Sequence, residues 1–230
     1  MNLNESKKVK CLIIHGFGGG VHEVKPLDEY LTSLGYETVC PVLKGHSSTK
    51  KDMKKATYSE WIDSAEQELL ILKENGDEVI IIGFSMGGLI AFNIACKHNI
   101  KGVVTINTPI YFWNINRVFL NLLEDIKNKK CNNIRRYLKA KNNSPFPAMI
   151  QFLLLLNQTK RKFENIDCPI LTIQAEDDDT VRIKSVNYIY KNISSSKKTI
   201  KYFPKGGHLI LLSKTAELVM ACIEDFLKEK

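Results

Sequence analysis

The sequence lacks several features that would each point to a particular way of life. None of its apolar runs reaches the roughly 18 residues that a bilayer span needs. The opening "MNLNESKKVK" is polar and has none of the apolar stretch that directs secretion. These absences predict a cytoplasmic protein with no stable membrane insertion. The six cysteines, Cys11, Cys40, Cys96, Cys131, Cys168 and Cys222, include no C-x-x-C pair, so neither a zinc site nor a redox dithiol is expected. Reduced thiols agree with the missing leader. There is also no low-complexity tract of the kind that keeps a chain unfolded.

What is present is the composition of a globular protein. A chain of 230 residues, 44% hydrophobic and 25% charged, can bury one sizeable core, and a single domain over residues 1–230 is expected. The 33 basic residues exceed the 25 acidic ones, for a net charge of +8. That excess serves solubility or the steering of anionic ligands. The basic residues are scattered, with one local concentration, "NKKCNNIRRYLKAK", at positions 128–141. No aromatic platform or binding module accompanies it, so nucleic acid is not an expected partner.

Along the chain, apolar β-branched runs alternate with helical patterns. Strands are predicted at Val9 to Ile14, Tyr36 to Val39, Val79 to Ile82, Gly102 to Ile106, Pro169 to Gln174 and Thr199 to Phe203. Helices are predicted at Val24 to Leu34, Trp61 to Lys73, from Leu89 onward, and at Lys214 to Lys228. This rhythm implies an α/β fold with a mostly parallel sheet covered by helices on both faces. Residues 41–60 form a long polar excursion. From about 110 to 164 the pattern is helical and strand-free, which predicts a small helical cap inserted between two strands. Its apolar helix "SPFPAMIQFLLLLNQ" either fixes the cap to the body or lines an acyl pocket.

The stretch "GFSMGG", Gly83 to Gly88, places Ser85 between glycines where a buried strand gives way to a helix. A serine hydroxyl is a weak nucleophile at neutral pH and needs a base and an orienting acid. The chain supplies three consecutive aspartates after a strand, in "AEDDDTV" (Ala175 to Val181), and then His208 after two glycines in a loop. Serine, aspartate, histidine is the chain order of one of the known triads.

Taken with "HGFGGG" (His15 to Gly20) and "KGHS" (Lys44 to Ser47), these stretches resemble the α/β-hydrolase superfamily, and within it the small bacterial carboxylesterases similar to monoacylglycerol lipases. The resemblance implies Ser85 as nucleophile and His208 as general base and acid. It implies Asp178 as the orienting acid, with Asp177 and Asp179 as alternatives that would otherwise turn to solvent or to Arg182. The backbone N–H groups of Phe17 and Met86 would form the oxyanion hole, their side chains free to shape the pocket. Trp113 and Phe152 are candidates for the substrate pocket, packing being the other reading of each. His15, His46 and Trp61 are read as structural, and Ser47 departs from the second glycine of the family's "GHG" turn. The implied activity is serine carboxylesterase action on a small-molecule ester, short-to-medium acyl esters and monoacylglycerols included, without metal or cofactor. An acyl thioesterase with the same triad is the close alternative, and a non-catalytic ligand-binding scaffold the distant one.

Overall fold

The computed structural model describes residues 9–46, 50–112 and 145–230. Six strands, β1 (Val9–Ile14), β2 (Glu37–Val39), β3 (Glu78–Phe84), β4 (Gly102–Ile106), β5 (Ile170–Ala175) and β6 (Lys198–Phe203), form one sheet in the order β2-β1-β3-β4-β5-β6. Every neighbouring pair is parallel. The β-branched runs read as buried strands therefore lie side by side in the middle of the sheet. Their alternation divides the core: Leu12, Ile14 and Ile81 face one cluster, while Cys11, Ile13, Ile80 and Ile82 face another. Side chains of a strand point alternately to opposite faces, and a central parallel strand is apolar on both.

Helices cover the two faces. On the first lie α3 (Tyr58–Leu72), α4 (Met86–Ala95) and α5 (Phe146–Lys160); on the second lie α1 (Lys25–Ser33) and α7 (Ala216–Lys228). Helix α3 starts with reciprocal hydrogen bonds between Thr57 and Glu60, a capping box that satisfies two otherwise orphaned N–H groups. The remaining described helices, α2 (Lys50–Lys55) and α6 (Lys184–Asn192), were not predicted. The first lies in the polar excursion. The second carries only one apolar face, and Ser185 is buried together with Val186 and Ile189.

Of the expected cap over residues 110–164, positions 113–144 lie outside the described residues. Helix α5 divides its apolar residues: Phe152, Leu155 and Leu156 are buried, whereas Phe146, Ile150, Leu153 and Leu154 are exposed. Its C-terminal end is fixed to α4, because the buried amide of Asn93 donates to Thr159 Oγ1 at 2.7 Å and accepts from Lys162 Nζ at 2.9 Å. At the start of the inserted segment, Phe112 bridges to Val181, and Arg182 N–H donates to the Tyr111 carbonyl at 2.9 Å. The segment leaving β4 is thus stitched to the loop that follows β5.

Because β1 has β2 on one side and β3 on the other, the chain reverses its direction of travel across the sheet between β1 and β3. Ligands of open α/β sheets bind outside the carboxyl ends of the strands at such a point. The turn after β1, Ser85 after β3, the aspartates after β5 and His208 after β6 all lie at that edge.

Candidate active site

Ser85 occupies a backbone conformation, φ 52° and ψ −119°, that L-residues rarely adopt. The turn is over-determined by its neighbours. A Cβ on Gly83 would lie 2.4 Å from the backbone of Gly87 and Gly88, and one on Gly87 would lie 2.2 Å from the Ile14 carbonyl oxygen. Only glycine lets strand, turn and helix approach this closely, and the backbone strain at the serine is held by that packing. The Ser85 N–H donates to the Ile106 carbonyl at 2.8 Å, which ties the turn to β4.

The hydroxyl and imidazole meet: Ser85 Oγ is 3.1 Å from His208 Nε2. On the other side of the ring, His208 Nδ1 is 2.9 Å from Asp178 Oδ2. The second oxygen of Asp178 accepts the N–H groups of Thr180, at 2.7 Å, and Val181, at 2.9 Å. That carboxylate is fully enclosed, so its orientation is fixed by three hydrogen bonds. With the carboxylate on Nδ1, the imidazole carries its proton there and offers the Nε2 lone pair to the hydroxyl. Burial by itself would push the imidazole down. The charge and hydrogen bond of Asp178, followed by the charges of Glu23 and Asp179, outweigh it and hold His208 above the ordinary histidine value.

The three aspartates part ways. Asp177 accepts the Gly207 N–H at 2.7 Å and so holds the histidine loop, while Asp179 accepts the Thr180 hydroxyl at 3.0 Å. Asp179 is as buried as Asp178. This corrects the expectation that the spare carboxylates turn to solvent or to Arg182: Asp179 is buried beside the Thr180 hydroxyl, and the half-buried Asp177 receives an N–H of the histidine loop. Gly206 and Gly207 have φ values of 142° and 62°, which explains why two glycines precede the histidine.

Met86 is the first residue of α4, where N–H groups lack intrahelical acceptors and the helix dipole is positive. The carbonyls of Ile14 and His15 lie against Gly87, which brings the turn carrying Phe17 alongside that helix start. An unpaired N–H next to the Ser85 hydroxyl at a helix start suits the stabilisation of an oxyanion. The Met86 side chain is fully buried in the core, so it is packed away rather than free to shape a pocket. His15 is held down to about 4 by burial. Its Nδ1 lies 2.9 Å from the Gly16 carbonyl and its Nε2 receives the Leu43 N–H at 3.4 Å, a neutral tautomer that fixes the turn.

Phe152 packs against the turn after β1, its ring 5.4 Å from that of Phe17 and 5.7 Å from that of Phe112. Phe17 also meets Trp61 at 5.8 Å, and Trp61 itself is fully buried. Trp113 lies outside the described residues. Among the described residues no group of three or more His, Cys, Asp or Glu could hold a metal ion, and no helix is long and apolar enough to cross a membrane.

Two residues of the site carried no signal in the sequence. Asn107, fully buried with φ 48°, donates from its amide to the carbonyls of Gly207 and His208 and accepts the Ala175 N–H. Glu23 accepts the Gly16 N–H at 3.1 Å. Neither belongs to a local motif, and each acts on chain far away in sequence or across a turn.

Comparison with known proteins places the fold. A family model described as the alpha/beta hydrolase fold matches residues 12–123, and one described as the C-terminal region of BAAT and acyl-CoA thioester hydrolases matches residues 69–213. The thermostable monoacylglycerol lipase of Bacillus sp. (strain H-257) is 28% identical over 227 residues, 94% of this chain and 89% of that protein. The carboxylesterase of Bacillus subtilis (strain 168) is 25% identical, over 95% of this chain and 92% of that one. Among solved structures, one from a study of the metagenome-derived lipolytic enzymes LipS and LipT superposes with a TM-score of 0.81 at 20% identity, covering 97% of this chain and 95% of that one. A soluble variant of the Saccharomyces cerevisiae monoglyceride lipase superposes with a TM-score of 0.75 at 18% identity, covering 100% and 89%. By family match and by fold, the chain belongs to the α/β hydrolases.

Proposed function

We propose that the protein is a serine carboxylesterase that hydrolyses short-to-medium acyl carboxylic esters, monoacylglycerols among them. The observation that carries this reading is the continuous hydrogen-bonded line from Ser85 Oγ through His208 to Asp178. Ser85 Oγ attacks the acyl carbon while its proton passes to His208 Nε2, and the carbonyl electrons move to an oxyanion met by the N–H groups of Phe17 and Met86. The oxyanion collapses, the alcohol leaves with the proton from His208, and the acyl group stays on Ser85. Water then gives its proton to Nε2 as it attacks the acyl-enzyme, and the second oxyanion collapses: the bond to Ser85 Oγ breaks, Oγ takes the proton back from His208, and the carboxylic acid leaves. Phe152, in the aromatic group beside Phe17, suits the acyl chain.

A second reading, acyl thioester hydrolysis by the same residues, is favoured by the match to the acyl-CoA thioester hydrolase model. A thiolate leaves with less protonation than an alkoxide, so the triad serves both. Native protein treated with a fluorophosphonate and analysed by peptide mass spectrometry should carry one adduct, on Ser85, absent from heat-denatured protein. Failure to label sinks both readings and leaves a non-catalytic scaffold. Rates on the oxygen ester and thioester of one acyl chain then separate them, and a strong thioester preference rejects the carboxylesterase.

A further inference from the structure

Glu23 is a carboxylate without an assigned task, placed behind the turn that follows β1. Its Oε2 accepts the Gly16 N–H at 3.1 Å, and a Cβ on Gly19 would lie 2.1 Å from its carboxyl carbon. The carboxyl group therefore fills the space between the two glycines that flank Phe17 and Gly18. The same corner holds Phe84, whose ring lies 3.3 Å from a Cβ built on Gly16 and whose centroid is 5.3 Å from that of His208. Burial raises the carboxyl group, the Gly16 N–H works against that rise, and the charge of His208 works against it in turn.

Resting on the serine hydrolase reading above, we infer that Glu23 is a second positioning carboxylate: it braces the turn that carries Phe17 through Gly16 and Gly19 and, from the corner where Phe84 meets His208, stabilises the imidazolium. The two tasks belong together. An oxyanion and an imidazolium form in the same step, and one group that holds the donor turn and answers the new positive charge serves both. A neutral side chain at position 23 would hold the turn without answering the charge. The groups whose charges act on His208 are Asp178 and Asp179 from the loop after β5 and Glu23 from the turn after β1, with Asp177 on the adjoining Gly207 N–H. His22 acts on Glu23 from its own turn.

Glu23→Gln keeps the shape and the acceptor while removing the charge. The sign is fixed: loss of a negative charge near His208 lowers the proton affinity of the imidazole, so the acid limb of kcat/KM should move to lower pH, by about half a unit or more. The kcat on p-nitrophenyl butyrate at the plateau should fall several-fold with KM little changed. Histidine-ring NMR titration of the intact protein should show the same downward move at His208. Glu23→Asp keeps the charge and shortens the reach, so it should leave the acid limb near its native position while lowering kcat. It also provides the comparison if the Gln variant does not fold. Superimposable pH profiles and an unmoved His208 titration in Glu23→Gln would overturn the inference, as would an acid limb that moves in Glu23→Asp as far as in the neutral variant. If the native protein neither hydrolyses the ester nor labels with fluorophosphonate, the hydrolase reading fails instead, while the NMR titration still reports on Glu23 and His208.

Discussion

The side-chain amide of Asn107 donates to the backbone carbonyl of His208 at 2.8 Å. The same amide donates to the Gly207 carbonyl at 3.0 Å and accepts the Ala175 N–H at 2.8 Å, while the neighbouring Ile106 carbonyl receives the Ser85 N–H. The end of β4 thus fixes the loops bearing the serine, the aspartate and the histidine relative to one another. Asn107→Asp keeps the volume and tolerates the left-handed backbone, but its carboxylate faces two carbonyls it cannot donate to. A fall in kcat of roughly a hundred-fold with KM within a few-fold is expected, since misplacement on the scale of an ångström costs about that much. Steady-state kinetics on p-nitrophenyl butyrate check it; a normal kcat in a folded variant would show that the loops hold themselves.

Ser85→Ala and His208→Ala should each remove on the order of a million-fold in turnover, and the double variant little more, because the groups act as a unit. The aspartates differ in kind. Asp178→Asn should cost about ten-thousand-fold by favouring the wrong imidazole tautomer. Asp177→Asn, whose amide oxygen still accepts the Gly207 N–H, should cost far less. Initial rates for the two aspartate-to-asparagine variants give the ranking directly, with Asp178→Asn predicted lower.

Much of this is legible in the sequence alone. The strands announce themselves because a parallel sheet covered on both faces demands continuous apolar runs, and β3 and β4 follow the runs around Val79 and Val103. Ser85 is marked by the glycines that a tight elbow needs. Among Asp177, Asp178 and Asp179 the sequence offers three equal carboxylates, and only the fold decides which turns to the imidazole. Asn107 and Glu23 escape for the same reason: the partners of Asn107 lie 68 to 101 residues away, and Glu23 serves a backbone N–H, which no side-chain pattern records. Helix α6 escapes differently: it is only nine residues long and mostly polar, with Val186 and Ile189 as its buried apolar residues.

The glycines of the elbow make a stability prediction that is separable from chemistry. Gly87→Ala would drive a methyl group into the carbonyls of Ile14 and His15, atoms of the central strand and its turn that cannot step aside. A loss of about 3 kcal/mol or more is expected, within the range for overpacking combined with backbone displacement. Gly35→Ala is the control: its φ of 88° strains any L-residue, yet nothing lies within 4 Å of the added carbon, so the cost should be about 1–2 kcal/mol. Urea unfolding of both variants compares them, and an equal loss would mean that the carbonyls of Ile14 and His15 yield to the added methyl group.

His15 predicts how stability responds to acid. In the folded protein its burial holds it down to about 4, while in the unfolded chain it takes a proton near 6.5. The unfolded state therefore binds more protons than the folded one between these values. Stability contributed by keeping His15 neutral is complete above about pH 6.5 and is lost as pH falls towards 4, by about 3 kcal/mol in total. His208 has the opposite sign: its folded value is raised, so its share is present below the unfolded value and is lost as pH rises through the folded one. The two windows adjoin near pH 6.5: as pH falls, His208 adds stability above that value and His15 removes it below. His15→Asn removes one without touching the other and keeps a polar group near Gly16 and Leu43. The variant should be less stable at neutral pH, and its urea midpoint should fall less steeply between pH 6.5 and 4. Parallel slopes for the native protein and the variant would mean that the His15 ring gains its proton without opening the turn after β1.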